Sequence, residues 1–368
     1  MKKEIILVLA ISLAITKRVH AQHHNLLVGT YTNKGTSEGI YIYDFNSKTA
    51  DTKLKSVTKN VKNPSYLAIT NDEKFVYSVN EHGADSEISA FKYDPIMGTM
   101  TLLNKKSSSG ADPCYITTNG NQIIVANYSG GSITSFLGNP DGTLNEKNQV
   151  IQHIGKSIDP KRQLSAHVHQ VVVTPDKKYL IATDLGEDQI YIYSISPSDK
   201  KELLLKQKIK TTPGSGPRHL AFSPNGRFAF LAHEFNGKIT VFSYADGNLN
   251  EIQQVQTTPK DFKGKVDGAD IHVSSDGKFL YETNRGDANT INSFAIDSKG
   301  KLTFIESMST LGKGPRNFSI DPSGKYILIA HQYTDEIVIF NRNTKNGTLS
   351  DSGKRINVGS PVCLVFGK

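Results

Sequence analysis

From about residue 26 to the C-terminus, the chain alternates short apolar runs with polar turns. Val, Ile, Tyr and Phe cluster in runs such as Ile40 to Tyr43 and Ile239 to Tyr244, whose composition and period-two alternation predict strands. No stretch between the runs sustains the 3.6-residue apolar spacing of a helix, so a parallel α/β sheet is disfavoured. The runs form a module: an apolar strand, a turn of the Pro-Asn/Asp-Gly type, a second apolar strand, a polar loop, and a third alternating strand. A fourth strand follows a turn such as Asp141-Gly142 or Lys299-Gly300.

The module recurs with a period of roughly fifty residues. Ser65 to Asn80 is followed by Ile88 to Tyr93, and Pro217 to His233 by Ile239 to Tyr244. Further copies start near Pro113, Val168, Gly268 and Pro315. That makes six complete copies, and the two ends hold the pieces of a seventh. Pro361 to Phe366 matches a first strand with nothing after it, whereas Leu26 to Thr30 and Ile40 to Asp44 match second and third strands with no first. A ring closed by pairing the C-terminal strand into the N-terminal sheet accounts for both, because an open array would leave edges that invite aggregation. The expectation is one all-β domain over residues 22–368: a seven-bladed β-propeller of four-stranded antiparallel blades. With the ring closed, a monomer is the expected state.

Residues 1–21 stand apart from this pattern. Lys2 and Lys3 precede the apolar stretch Ile5 to Ile15, and Val19-His20-Ala21 offers small residues for cleavage before Gln22, the form of a signal peptide. The stretch is about half of the ~20 residues a membrane-spanning helix needs. The mature chain is therefore expected to be exported, periplasmic or secreted, and not held in a membrane. Removing the leader lowers the formal charge from +8 to +5, a surplus spread along the chain, so nucleic-acid binding is not indicated. Two cysteines, Cys114 and Cys363, lie in apolar runs with no His or Cys at metal-ligand spacing. Free buried thiols are expected.

With the repeats in register, equivalent positions face one central channel. The residue after the first-strand proline position reads Ser65, Cys114, His169, Arg218, Ala269, Arg316 and Val362. The residue ending the second strand reads Glu81, Tyr128, Leu185, Glu234, Arg285, Gln332 and Tyr31. A structural repeat needs only small or apolar groups there. These two series instead contain three arginines, two glutamates and a histidine, with His167, His219 and His331 close in sequence. Arginines facing one cavity imply an anionic ligand, because the guanidinium fork matches carboxylate or phosphate and stays charged. A glutamate or histidine among them can move a proton. No Ser-centred nucleophile elbow or acidic calcium loop is present, and His167 and His169 lack a clear third ligand, so neither metal nor organic cofactor is expected.

These residues resemble the bacterial lactonase family of seven-bladed propellers, which includes propeller-type 6-phosphogluconolactonases and is related to fungal carboxy-cis,cis-muconate cyclase. The resemblance covers essentially the whole mature chain. It rests on Val28 to Tyr31, Pro64 to Leu67, His167-Val168-His169, Gly216 to Leu220 with His233-Glu234, Thr283 to Arg285 and Gly314 to Phe318. It implies an active site of His169, Arg218, Glu234 and Arg285 acting on a small-molecule lactone, 6-phosphogluconolactone or a related aldonolactone. On this reading Arg218 and Arg285 hold the anionic or carbonyl end and the oxyanion. Glu234 is general base to the attacking water, and His169 orients or protonates the leaving ring oxygen. Glu81, Tyr128, His167, His219, Arg316 and His331 complete the substrate site. The export signal departs from the cytoplasmic sugar-phosphate enzymes of this type. A muconate-type cyclase and a non-catalytic exported binding propeller are the alternative readings.

Overall fold

The computed structural model of the chain describes residues 22–33, 35–259 and 261–367; the predicted leader lies outside them. Among the described residues, 28 strands form seven four-stranded antiparallel sheets, and the only helix is a single 3-10 turn, Gly83–Asp85. Blade one holds Leu67–Ile69, Phe75–Asn80, Glu87–Asp94 and Thr99–Ser107. Blades two to six begin with Pro113–Asn119, Val168–Val173, Pro217–Phe222, Gly268–Val273 and Pro315–Ile320. In blade seven the C-terminal strand Pro361–Phe366 pairs with His23–Thr30, with Leu26 opposite Phe366 and Val28 opposite Leu364. The expected ring closure is therefore present, and all seven blades stand as expected.

Burial explains why the second strands are almost wholly apolar while the fourth are not. Phe228–His233 and Gln122–Asn127 are buried along their full length, whereas Leu203–Lys210 exposes five of its eight residues. Each face of a second strand meets a neighbouring blade, so both faces need apolar side chains. The core is accordingly seven clusters, one at each junction between blades. The cluster between blades six and seven, with Leu26, Val28, Phe45, Leu328 and Ile339, closes the ring. Cys114 and Cys363 are free and buried, as expected.

The inner strands carry one irregularity that matters for function. In blade three, Val168 pairs with Asp184 and Gln170 with Thr183, which leaves His169 unpaired in a bulge. Cys114, Arg218 and Arg316 are the unpaired residues at the same place in blades two, four and six, and Val362 in blade seven. A bulge re-aims the extra side chain out of the pleat, here toward the channel. The second series is fixed by a hydrogen bond repeated in every blade. The amide of the residue after the second strand donates to the carbonyl two residues before the channel-facing residue of the first strand, as from Glu234 to Gly216 (2.7 Å), Arg285 to Asp267 (2.8 Å) and Gln332 to Gly314 (3.0 Å). Gly216 and Gly314 hold φ of +63° and +69°, a region that favours glycine, which accounts for the Gly-Pro-Arg triplets.

Candidate active site

At one mouth of the channel lies a cavity of about 250 Å³ whose charged lining is Glu81, Asp112, Arg162, Glu234, Arg285 and Arg316, with Tyr31, Tyr128 and His169 beside them. A wider groove of about 460 Å³ adjoins it and shares Tyr31, but Asp335 is its one charged residue. The ionisable groups that can do chemistry are therefore in the smaller cavity.

On the blade-four side the charges are closed on one another. Glu234 Oε2 accepts from Arg218 Nε (2.9 Å) and Arg285 Nη2 (3.0 Å), and Oε1 from Arg162 Nη2 (2.6 Å). Arg218 also donates to the Ala269 carbonyl, and Arg285 to Asp267 (2.8 Å). Burial alone would raise the Glu234 pKa, but the three guanidinium groups overcome it and hold the carboxyl down at about 2. Arg218 is only 1% exposed and lies beneath the cavity, along a narrow continuation of about 10 Å³. Burial and the neighbouring arginines lower its pKa to about 10, which leaves it charged at neutral pH. This arrangement bears on two of the expected roles. Protonating Glu234 would forfeit charge-assisted bonds from three guanidinium groups, and Arg218 donates to Glu234 and to a carbonyl.

On the blade-one side the arrangement is open. Glu81 accepts from the Tyr31 hydroxyl (3.0 and 3.2 Å to its two oxygens) and from Ser65 Oγ. Burial raises its pKa against the opposing pull of Arg316, Ser65 and Tyr31. Arg316 lies over the Tyr31 ring at 5.6 Å and has no hydrogen-bond partner among the described residues. His169 sits between the two sides. Burial, reinforced by Arg218, His219, Arg316 and Arg285, lowers its pKa far below the ordinary value. It is neutral at working pH, able to orient a group but not to serve as a charged acid.

The remaining expected residues divide. Tyr128 lines the cavity and receives Arg162 Nη2 at 3.0 Å. His219 lies below it, its Nδ1 bound to the buried Asp270 at 2.8 Å and its ring in edge contact with His169. His167 and His331 do not line the cavity. His167 stacks on the far side of Tyr128, with ring centroids 4.6 Å apart and Nδ1 3.0 Å from the Tyr128 carbonyl. His331 is fully buried and packs against Gly312. It precedes the channel-facing Gln332, and successive strand residues point to opposite faces, so it turns into the blade. His233 does the same ahead of Glu234, meeting Thr240 Oγ1 at 2.8 Å.

Arg162 was not anticipated. It sits on the connection between Leu144–Gln152 and Val168–Val173, outside the repeat, and is placed by local turn chemistry. Asp159 Oδ1 accepts from the amides of Lys161 (2.8 Å) and Arg162 (3.0 Å), and Gln163 Nε2 anchors to the Leu185 carbonyl (2.8 Å). The available signal was the length of this connection, the longest between blades among the described residues. At its base His153, Asp184 and Glu187 gather within metal-ligand reach. Their donors are largely spent: His153 bonds Asp184 (2.7 Å) and Tyr193 (2.8 Å), and the second Asp184 oxygen takes three backbone amides. The cluster reads as a brace for the connection.

Comparison with known proteins agrees with this architecture. Residues 25–366 match the family described as "Lactonase, 7-bladed beta-propeller". A 6-phosphogluconolactonase of Formosa agariphila is 34% identical over 92% of this chain and 98% of its own length. A crystal structure from Bacteroides fragilis superimposes with a TM-score of 0.90 at 46% identity, covering 94% of this chain and 98% of that one. The periplasmic gluconolactonase of Pseudomonas aeruginosa has a TM-score of 0.89 at 37% identity, covering 94% and 99%. Coverage on both sides is nearly complete, and the match spans every blade: the chain belongs to the seven-bladed β-propeller lactonase family.

Proposed function

We propose that the protein hydrolyses a sugar lactone, 6-phosphogluconolactone or a related aldonolactone such as gluconolactone, to the open acid. The observation that carries this reading is the composition of the cavity. An uncommitted guanidinium, Arg316, stands beside a carboxylate and two tyrosines, with the arginine cluster of Glu234 as the opposite wall. Such a wall suits a polyhydroxylated ring, whose hydroxyls both donate and accept, and a carbonyl that becomes anionic when water adds. Relatives named for 6-phosphogluconolactone and for gluconolactone support the same class. His169, Arg285, Arg162 and Tyr128 contact substrate on this reading, while Arg218 and His219 support them from below. No step requires a metal or organic cofactor.

Export of the chain, expected from residues 1–21, is part of the proposal and favours an unphosphorylated lactone. The test is base uptake at constant pH by the chain from Gln22, on gluconolactone and on 6-phosphogluconolactone, with spontaneous hydrolysis subtracted. Turnover of either supports a lactonase, and the ratio of kcat/KM reports whether a phosphate is recognised. Rates no higher than background on both would overturn the reading.

A further inference from the structure

The two cavity glutamates differ in the chemistry of what holds them. Both oxygens of Glu234 are occupied by guanidinium N–H groups, from Arg162, Arg218 and Arg285. The Glu81 oxygens take only neutral hydroxyls, from Tyr31 and Ser65. A hydroxyl can turn and accept where it had donated, whereas a guanidinium cannot. A proton arriving on Glu81 therefore displaces no charged partner. The arginines divide the same way: Arg162, Arg218 and Arg285 are each anchored to Glu234, whereas the Arg316 side chain has no hydrogen bond among the described residues.

We infer that Glu81 is the general base of the lactonase, that Arg316 is the donor to the developing oxyanion, and that Glu234 is a positioning residue holding the arginine wall. The inference rests on the lactonase reading and assigns its catalytic groups. The groups that face Glu81 are Tyr31 from blade seven, Asp112 and Cys114 from blade two, and Arg316 from blade six. Burial and Asp112 favour its neutral form, while Arg316 and the two hydroxyls favour the carboxylate. This balance lifts the group toward working pH, where a base is most effective, while Glu234 is pushed away from it.

The step balances without a co-reactant. Glu81 takes a proton from water as the water oxygen bonds to the lactone carbonyl carbon, and the carbonyl electron pair moves onto oxygen beside Arg316. Collapse of the tetrahedral intermediate breaks the bond from that carbon to the ring oxygen. The proton held by Glu81 passes to the ring oxygen, giving the hydroxy acid and returning the carboxylate. Neutral His169 can orient the water or the ring oxygen with its N–H, which is the part its burial leaves open to it.

The test compares E81Q, E81A, R316Q and E234Q in the chain from Gln22, with kcat and KM on gluconolactone across pH, gluconate binding by calorimetry, and circular dichroism as the fold control. E81Q is expected to lose about 100-fold or more in kcat, the usual range for a general base. It should bind gluconate within about threefold of the unsubstituted chain and lose the acid limb of the pH profile. Formate should restore at least tenfold of the E81A rate, and E234Q should show no such restoration. R316Q is expected to lose about 100-fold in kcat, the scale of one oxyanion donor. A folded E81Q that keeps more than a tenth of kcat with its acid limb intact overturns the assignment and leaves the lactonase reading standing. If E81Q does not fold, the formate response of E81A decides, and its absence overturns the assignment. No turnover of gluconolactone or of 6-phosphogluconolactone by the unsubstituted chain overturns the lactonase reading and this assignment with it; if only the phosphorylated lactone is turned over, the same comparison is run on it.

Discussion

Glu81 and Glu234 directly follow the second strands of blades one and four, hold the same place in the repeat, and line the same cavity. Their surroundings nevertheless give them opposite character. The blade-four carboxylate has three guanidinium partners and a pKa of about 2; the blade-one carboxylate has two hydroxyl partners and a pKa raised by burial. A propeller fixes where a side chain is presented, through a bulge or a strand-end hydrogen bond, and leaves its chemistry to the neighbouring blades. Arg218 and Arg285 stand next to Glu234 because blades four and five adjoin. Glu81 is held by the hydroxyls of Ser65, from its own blade, and Tyr31, from blade seven, beside an arginine that does not bond to it. Position is thus a property of the blade, and function a property of the order of blades around the ring.

The largest effect should come from breaking the closed side. E234Q leaves three guanidinium groups without their shared acceptor, two of them buried, and the usual loss on breaking such a buried pair is about 3–5 kcal/mol. Urea unfolding at pH 7 measures it. The pH dependence has the same origin. A carboxyl whose folded pKa lies below its unfolded value of about 4.3 stabilises the fold above that pH. The contribution is lost as pH falls from there toward about 2, and E234Q should flatten that part of the stability curve. E81Q sharpens the contrast. Its folded pKa is raised, so ionisation at neutral pH costs stability, and removing the charge should leave the urea midpoint unchanged or higher while turnover falls.

The sequence makes one half of this comparison legible and not the other. Register alone places Glu81, Glu234, Arg285 and Arg316 at the mouth, because the repeat pins turn, bulge and strand end in each blade. Which carboxylate is free and which is spent is invisible at that level. Arg218 and Arg316 follow the same Gly-Pro dipeptide, yet one is buried against Glu234 and the other faces the cavity unpaired. Arg162 escapes because repeat logic says nothing of a residue in a connection that repeats nowhere else. His331 is misplaced by one residue of strand parity, which a count of charged groups near the channel does not resolve.

Arg162 offers an intermediate test, since it is the closed side's only contact from a non-repeating segment. Its side chain is 40% exposed, so the ion pair with Glu234 is partly screened by water. R162A should cost about 1 kcal/mol or less in urea unfolding, far below E234Q. Its effect on kcat/KM should exceed its effect on stability, because Arg162 also holds the Tyr128 hydroxyl at the rim. A larger loss on 6-phosphogluconolactone than on gluconolactone would identify Arg162 as the phosphate contact. Equal losses would assign it to the shared part of the two substrates.

The smallest effect on catalysis is expected at His331, which lies on neither side of the cavity. Blades one, two and five carry Asn80, Asn127 and Asn284 at the equivalent strand end, so H331N imports a residue that this position already accommodates elsewhere. Activity on gluconolactone should stay within about twofold, and the loss of packing against Gly312 should cost on the order of 1 kcal/mol. A pH signature separates this residue from a substrate ligand. Burial lowers the His331 pKa to about 4, so between about 6.5 and 4 the unfolded chain binds a proton that the folded chain does not. Stability falls with pH across that window, and H331N should make the fall shallower. His219 and His233, also lowered to about 4 by burial, and His169, lowered further, keep the remainder of the slope. Unchanged kcat/KM together with a flatter urea-midpoint profile places His331 in the fold. A loss of kcat/KM without that flattening would return it to the substrate site.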